Sequence, residues 1–173
     1  NANRTYTVGV VDVSDRDEAR VQSERLRALV AEYGLVENKH QVPEVVFKGT
    51  EAMQRGFLQA LFTADGSVQY FKEKKVASIR LACNNMNILE AVQMLLSNFG
   101  IASRIYQERR KAGYRNMPDG KGGLKEYWCE AQHELVISRA NMVTFRDEIG
   151  FILDRKQQQL NDLLGDYVTA PRK

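Results

Sequence analysis

The stretch Gly56-Phe57-Leu58-Gln59-Ala60-Leu61-Phe62-Thr63-Ala64-Asp65-Gly66-Ser67-Val68 constrains this chain more than any other. Phe57, Leu58, Leu61 and Phe62 fall at helical spacing, so one face of the segment has to be buried. Thr50 is placed to cap that helix, Glu51 sits in its first turn, and Ala64-Asp65-Gly66 ends it. Gly66 is expected to permit a sharp exit from helix into strand. A carboxylate is thereby fixed where an apolar helix hands over to a sheet. An amphipathic core helix closed by an incidental Asp-Gly turn would read the same way over this stretch alone.

The flanking sequence predicts strands over residues 67–74 and 76–84, then a helix from Asn87, where Asn87 and Glu90 have the spacing of a capping box, to a stop at Gly100. A strand is expected over residues 103–110, a Gly- and Lys-rich loop over 112–125, a strand over 127–138, and helices over 141–149 and 153–164. Ahead of Thr50, residues 5–13 read as a strand, residues 18–33 as a helix ended by Gly34, and residues 35–49 as a connector holding Pro43 and Gly49. The later part therefore reads α-ββ-α-ββ-α-α, and the earlier β-then-α piece resembles a shortened version of the same unit.

Charge narrows the function. Hydrophobic residues make up 43% and charged residues 27% of the 173 residues, and the net charge is only +3, the balance of an ordinary soluble protein. Between Ile101 and Cys129, however, seven basic residues stand against three acidic ones. Before Lys39 the balance is five basic to seven acidic. A basic segment in a near-neutral chain fits one face turned to a polyanion, and fits a solvated basic loop equally well on charge alone. Cys83 and Cys129 lie far apart with no metal-ligand spacing, and with two histidines a zinc site is not expected. No apolar run reaches membrane-spanning length and no signal peptide is read at the start, so no membrane is expected and the protein is placed in the cytoplasm, associated with the nucleoid.

Leu58 to Gly66 resembles the nine-position LAGLIDADG signature of homing endonucleases. Three flanking stretches are similar to that family too. Lys39-His40-Gln41-Val42-Pro43 resembles the basic segment ahead of the second signature helix in intein endonucleases. Residues 87–105 look like its helix, Gly turn and strand, and Phe145, Ile149, Gly150, Phe151, Lys156 and Leu160 match its closing segment. The resemblance covers about residues 36–165 and implies an α+β fold of αββαββα units with a saddle-shaped antiparallel DNA-binding sheet. It divides the chain into a partial first half, residues 1–43, and a complete second half, residues 44–173. Only one signature helix is found, so the second half-site would come from a missing N-terminal segment or from a homodimer partner.

The implied function is site-specific cleavage of double-stranded DNA at a long recognition site, with Mg²⁺ as cofactor and Mn²⁺ or Ca²⁺ able to replace it in binding. Under that resemblance Asp65, with the backbone at Ala64 and Gly66, holds the metal, and Ala60 allows close helix pairing. Lys156 and Lys39 are the implied catalytic lysines; at Lys39 the register is out by one, leaving His40 and Gln41 as alternatives. Asn85 is a candidate for orienting water. Strand alternation would turn Gln69, Phe71 and Glu73, then Ser78, Arg80, Ala82 and Asn84, then Arg104, Tyr106 and Glu108 toward DNA, with Ile79, Leu81 and Cys83 in the core. Arg109, Arg110, Lys111 and Arg115 are assigned to phosphates, which position without specifying. The alternative is a non-cleaving nucleic-acid-binding relative, a maturase or a transcription regulator. No Cys or Ser opens the sequence and no His-Asn pair closes it, so any splicing domain is expected outside this chain.

Overall fold

A computed structural model describes residues 9–13, 18–35, 41–71, 73, 76–120 and 122–169. The chain divides into two compact units, Asn1–Lys39 and His40–Lys173. In the first, strands β1 (Gly9–Val13) and β2 (Glu18–Gln22) form an antiparallel hairpin that pairs Val10 with Val21, and helix α1 (Glu24–Glu32) follows. The helix expected from residue 18 thus begins six residues later. Ser23 sets the boundary: its hydroxyl accepts from the Leu26 N–H at 3.2 Å, while residues 18–22 satisfy their backbone groups against β1.

The second unit opens with the short helix α2 (Glu44–Lys48), inside what reads as a connector, and then α3 (Glu51–Asp65). Thr50 caps α3 as expected, its hydroxyl accepting from the Met53 N–H. Strands β3 (Gly66–Phe71) and β4 (Val76–Cys83), helix α4 (Met86–Ser97), strands β5 (Arg104–Arg110), β6 (Gly113–Pro118), β7 (Leu124–Cys129) and β8 (Gln132–Ser138), and helices α5 (Ala140–Glu148) and α6 (Asp154–Thr169) complete it.

Two expectations shift here. The capping residue of α4 is Asn85 rather than Asn87, with its side-chain oxygen accepting from the N–H groups of Asn87 and Ile88. The single strand expected over residues 127–138 is two, broken at Glu130-Ala131, and most of the expected loop is strand β6 paired to β7. What turns this hairpin is a tight closure: Gly120 and Gly122 take φ of 74° and 91°, and the Gly123 N–H donates to the Asp119 carboxylate.

The main sheet is antiparallel and four-stranded, in the order β3-β4-β8-β5. Its core face carries Val68, Ile79, Leu81, Leu135 and Ile137, all buried, against Leu58 and Phe62 of α3, Leu89, Val92, Leu95 and Leu96 of α4, and Phe145 and Leu160 of α5 and α6. The Phe62 and Phe145 rings meet edge-on at 4.9 Å, and Phe145 meets Phe151 at 5.4 Å. The fold is α+β; α3, the four main-sheet strands, α4 and α5 keep the αββαββα order read from the sequence, with the β6–β7 hairpin inserted between β5 and β8.

Candidate nucleic-acid interface and acidic helix end

Asp65 is the last residue of α3 and is exposed. Gly66 follows at φ −76°, an ordinary value, so its expected conformational freedom is not what the turn uses. The reason for glycine is space: a Cβ there would lie 2.5 Å from the Phe62 carbonyl oxygen and 2.9 Å from the Phe62 ring. The chain leaves the helix so tightly over Phe62 that no side chain fits.

The closing segment is fastened to this exit. The Lys156 ammonium donates to the carbonyl oxygens of Thr63 at 2.6 Å and Gly66 at 2.7 Å. The Ile152 N–H donates to the Thr63 hydroxyl, and the Gln159 side-chain amide to the Val68 carbonyl. Lys156 is therefore half-buried at the negative end of α3, where a cation offsets the helix dipole. Its ammonium also takes the Gly66 carbonyl that the sequence reading assigned to metal. What the helix end still presents is the Asp65 carboxylate and the backbone at Ala64.

Exchanging Lys156 for Met should leave both carbonyls without their charged donor. The expected loss is about 2 kcal/mol of unfolding free energy, the scale of hydrogen bonds to a charged group. Urea denaturation reads it. Lys156→Arg should recover most of the loss, and full stability in Lys156→Met would show the ammonium to be a bystander.

The sheet face opposite the core is open and basic. Cross-strand registers place Ser67, Arg80, Val136 and Arg104 in one row, and Ala82, Glu134 and Tyr106 in the next. Arg80 and Arg109 share the Glu134 carboxylate, with nitrogen-to-oxygen distances of 3.1 and 3.2 Å. The Arg104 and Arg109 guanidiniums lie 5.0 and 5.1 Å from the Tyr106 ring centre. A groove of about 480 Å³ runs over this surface between Ser78, Arg80, Tyr106, Arg109 and Arg139.

Several predicted site residues move. Ser78 is buried at the groove floor and its hydroxyl accepts from the Arg80 Nε at 2.9 Å, so it supports Arg80 rather than standing exposed on the face. Glu73 lies in the turn beyond β3, since that strand ends at Phe71. Phe71 is exposed, with the Arg80 guanidinium 5.7 Å from its ring centre, and Gln69 is half-buried on the same face. Asn84 is exposed just past the end of β4. The Asn85 side-chain oxygen is committed to its cap, which leaves the amide alone for orienting water. Arg109, assigned to phosphates, lies on β5 and reaches the sheet face beside Tyr106 and Glu134. Arg110 is exposed at the end of β5. The Lys111 carbonyl accepts from Arg115, whose Nε is buried without a hydrogen-bond partner. Lys39 and His40 lie outside the described residues.

Glu134, Val136 and Ser138 were missed in the sequence, although strict alternation with Leu135 and Ile137 placed them there. Glu108, at φ 46°, was read only as a surface position.

An α+β unit with a helix-covered sheet, an open arginine-lined face and a carboxylate at a helix end is the class these features define. The family model for a LAGLIDADG-like domain matches residues 52–150. The chain belongs to this family. It is 30% identical over 142 residues to the ribonucleoside-diphosphate reductase NrdEB subunit alpha of Bacillus subtilis (strain 168), covering 82% of this chain and 13% of that protein. To a DNA polymerase of Thermococcus hydrothermalis it is 26% identical over 162 residues, covering 93% of this chain and 9% of that one. Among solved structures, mesophilic variants of the homing endonuclease I-DmoI share the fold, with a TM-score of 0.51 and 20% identity over 90% of this chain and 66% of that one.

Proposed function

We propose that this chain is a part or a subunit of a site-specific double-stranded DNA endonuclease, encoded within an intein and dependent on Mg²⁺. Family membership supports the nuclease reading, and the placement of short matches inside long host enzymes supports the intein reading. The observation that carries it is Asp65: an exposed carboxylate closing the half-buried signature helix, in the same unit as a sheet face of arginines. A duplex laid on that face gains from counterion release at its phosphates and offers base edges to the β-strands.

The residues suit a hard cation in part. Asp65 and the backbone at Ala64 are oxygen donors of the kind Mg²⁺ takes. No group of three His, Cys, Asp or Glu residues able to hold an ion occurs among the described residues, so the described chain provides half of a site. The other carboxylate belongs to a second signature helix, in a further segment or a partner copy. Gly56, Ala60 and Ala64 form an exposed small-residue stripe on α3 that suits close approach of such a helix. A bound ion would neutralise charge on the scissile phosphate and supply an activated water. The Lys156 ammonium holds the helix end still, keeping the Asp65 carboxylate in register with the sheet.

This reading puts the protein in the cytoplasm, on the nucleoid. A plasmid carrying the uninterrupted host gene should be cut at one place in Mg²⁺ and left intact once EDTA removes the metal. Cutting that persists in EDTA refutes the metal dependence. Selective binding without cutting in any divalent ion would favour a maturase or regulator.

A further inference from the structure

We propose that Arg109 reads a base, with guanine in the major groove as its ligand, and that Glu134 is the residue that positions it. The proposal rests on the DNA-binding reading above and departs from the phosphate contact that the sequence suggested.

The first observation is a bulge. Tyr106 stands opposite Glu134 and Arg110 opposite Gln132, so three residues of β5 face a single residue of β8. Glu108 sits in the middle at φ 46°, a region that non-glycine residues rarely adopt, and its N–H is taken by the His133 Nδ1 at 3.1 Å. With regular alternation Arg109 would share a face with Ile105, toward the core. The irregular backbone at Glu108 turns it instead to the open face, beside Tyr106 and Glu134.

The second observation is how the guanidiniums are spent. Arg80 is largely enclosed, with its Nε on Ser78 and its Nη1 on both oxygens of Glu134. Arg109 is half exposed and gives only its Nε to the same carboxylate. Among the described residues its two terminal nitrogens have no other partner and remain for a ligand, and that pair is the fork that matches the O6 and N7 acceptors of guanine. One carboxylate shared by two guanidiniums leaves a net positive charge. Arg109 is thus held in direction without being neutralised, while a phosphate would need no such aim.

Competition binding of the intact protein to randomised duplexes, in Ca²⁺ to hold back cutting, tests this. Wild type should select guanine at one position that Arg109→Ala and Arg109→Lys each relax by on the order of 10- to 100-fold. Glu134→Gln should relax the same position while leaving total affinity equal or higher. Uniform weakening across all sequences in Arg109→Ala, with full rescue by Lys and a salt slope lower by about one, makes Arg109 a phosphate contact and overturns the proposal. Selectivity in wild type that Glu134→Gln does not touch overturns the positioning role. Absence of any selective binding by wild type overturns the DNA-binding reading itself, and this proposal with it.

Discussion

Asp65→Asn is expected, on the proposed function, to lower the cleavage rate about 10³-fold, since losing a carboxylate that holds the metal would forfeit several kcal/mol of transition-state stabilisation at about 1.4 kcal/mol per tenfold. The substitution should leave the fold intact. Asp65 is exposed, and its carboxylate makes no hydrogen bond among the described residues. A negative charge at the negative end of α3 is also unfavourable, so the neutral variant should be slightly more stable, by about 0.5 kcal/mol. Gain in stability with loss of turnover is the signature of a group held for chemistry rather than architecture. Thermal unfolding and single-turnover cleavage of the same preparation give both readouts. Undiminished cleavage in the variant would remove the central assignment.

Phe62→Ala should cost about 3 to 5 kcal/mol, the range for emptying a fully buried aromatic site. Phe62 is completely buried, meets Phe145 edge-on, and lies beneath the glycine where the chain leaves α3. The neighbours cannot close the gap easily, because the Phe62 carbonyl accepts from the Gly66 N–H and Lys156 clamps Thr63 and Gly66 just beyond it. Denaturant titration should show the midpoint falling with little change in slope. A loss under about 1 kcal/mol would mean that the site collapses and that the helix exit is softer than its contacts imply.

The helices and strands around the signature were legible because their hydrophobic periods were clean. Leu58 and Phe62 face the core at one spacing, and Ile79 and Leu81 at another, as the sequence implied. The errors came where local pattern and tertiary pairing compete. Val21 fits a helical period with Leu26, yet it pairs across a hairpin with Val10. The Gly- and Lys-rich stretch reads as loop, because glycines at the turn mask the strand on either side of it. Strand alternation placed Ser78 at the surface correctly as to face, but not as to burial, since Arg80 folds down over it. No periodicity foretells the bulge that redirects Arg109; it depends on which residue of β8 receives the Glu108 N–H. Lys156 was visible only through family resemblance, and its two carbonyl partners stand 93 and 90 positions earlier in the sequence.

The central position of β8 in the sheet has a consequence for biosynthesis. Strands β4 and β5 do not touch each other's backbones; both hydrogen-bond to β8, where Ser138 stands opposite Ser78. A nascent polypeptide emerging from the ribosome can make the β3–β4 hairpin early, but the sheet stays open until residue 138 has cleared the exit tunnel. Until then the apolar sides of β4 and β5 have unpaired edges next to them, the interval in which chaperone capture or misassociation competes with closure.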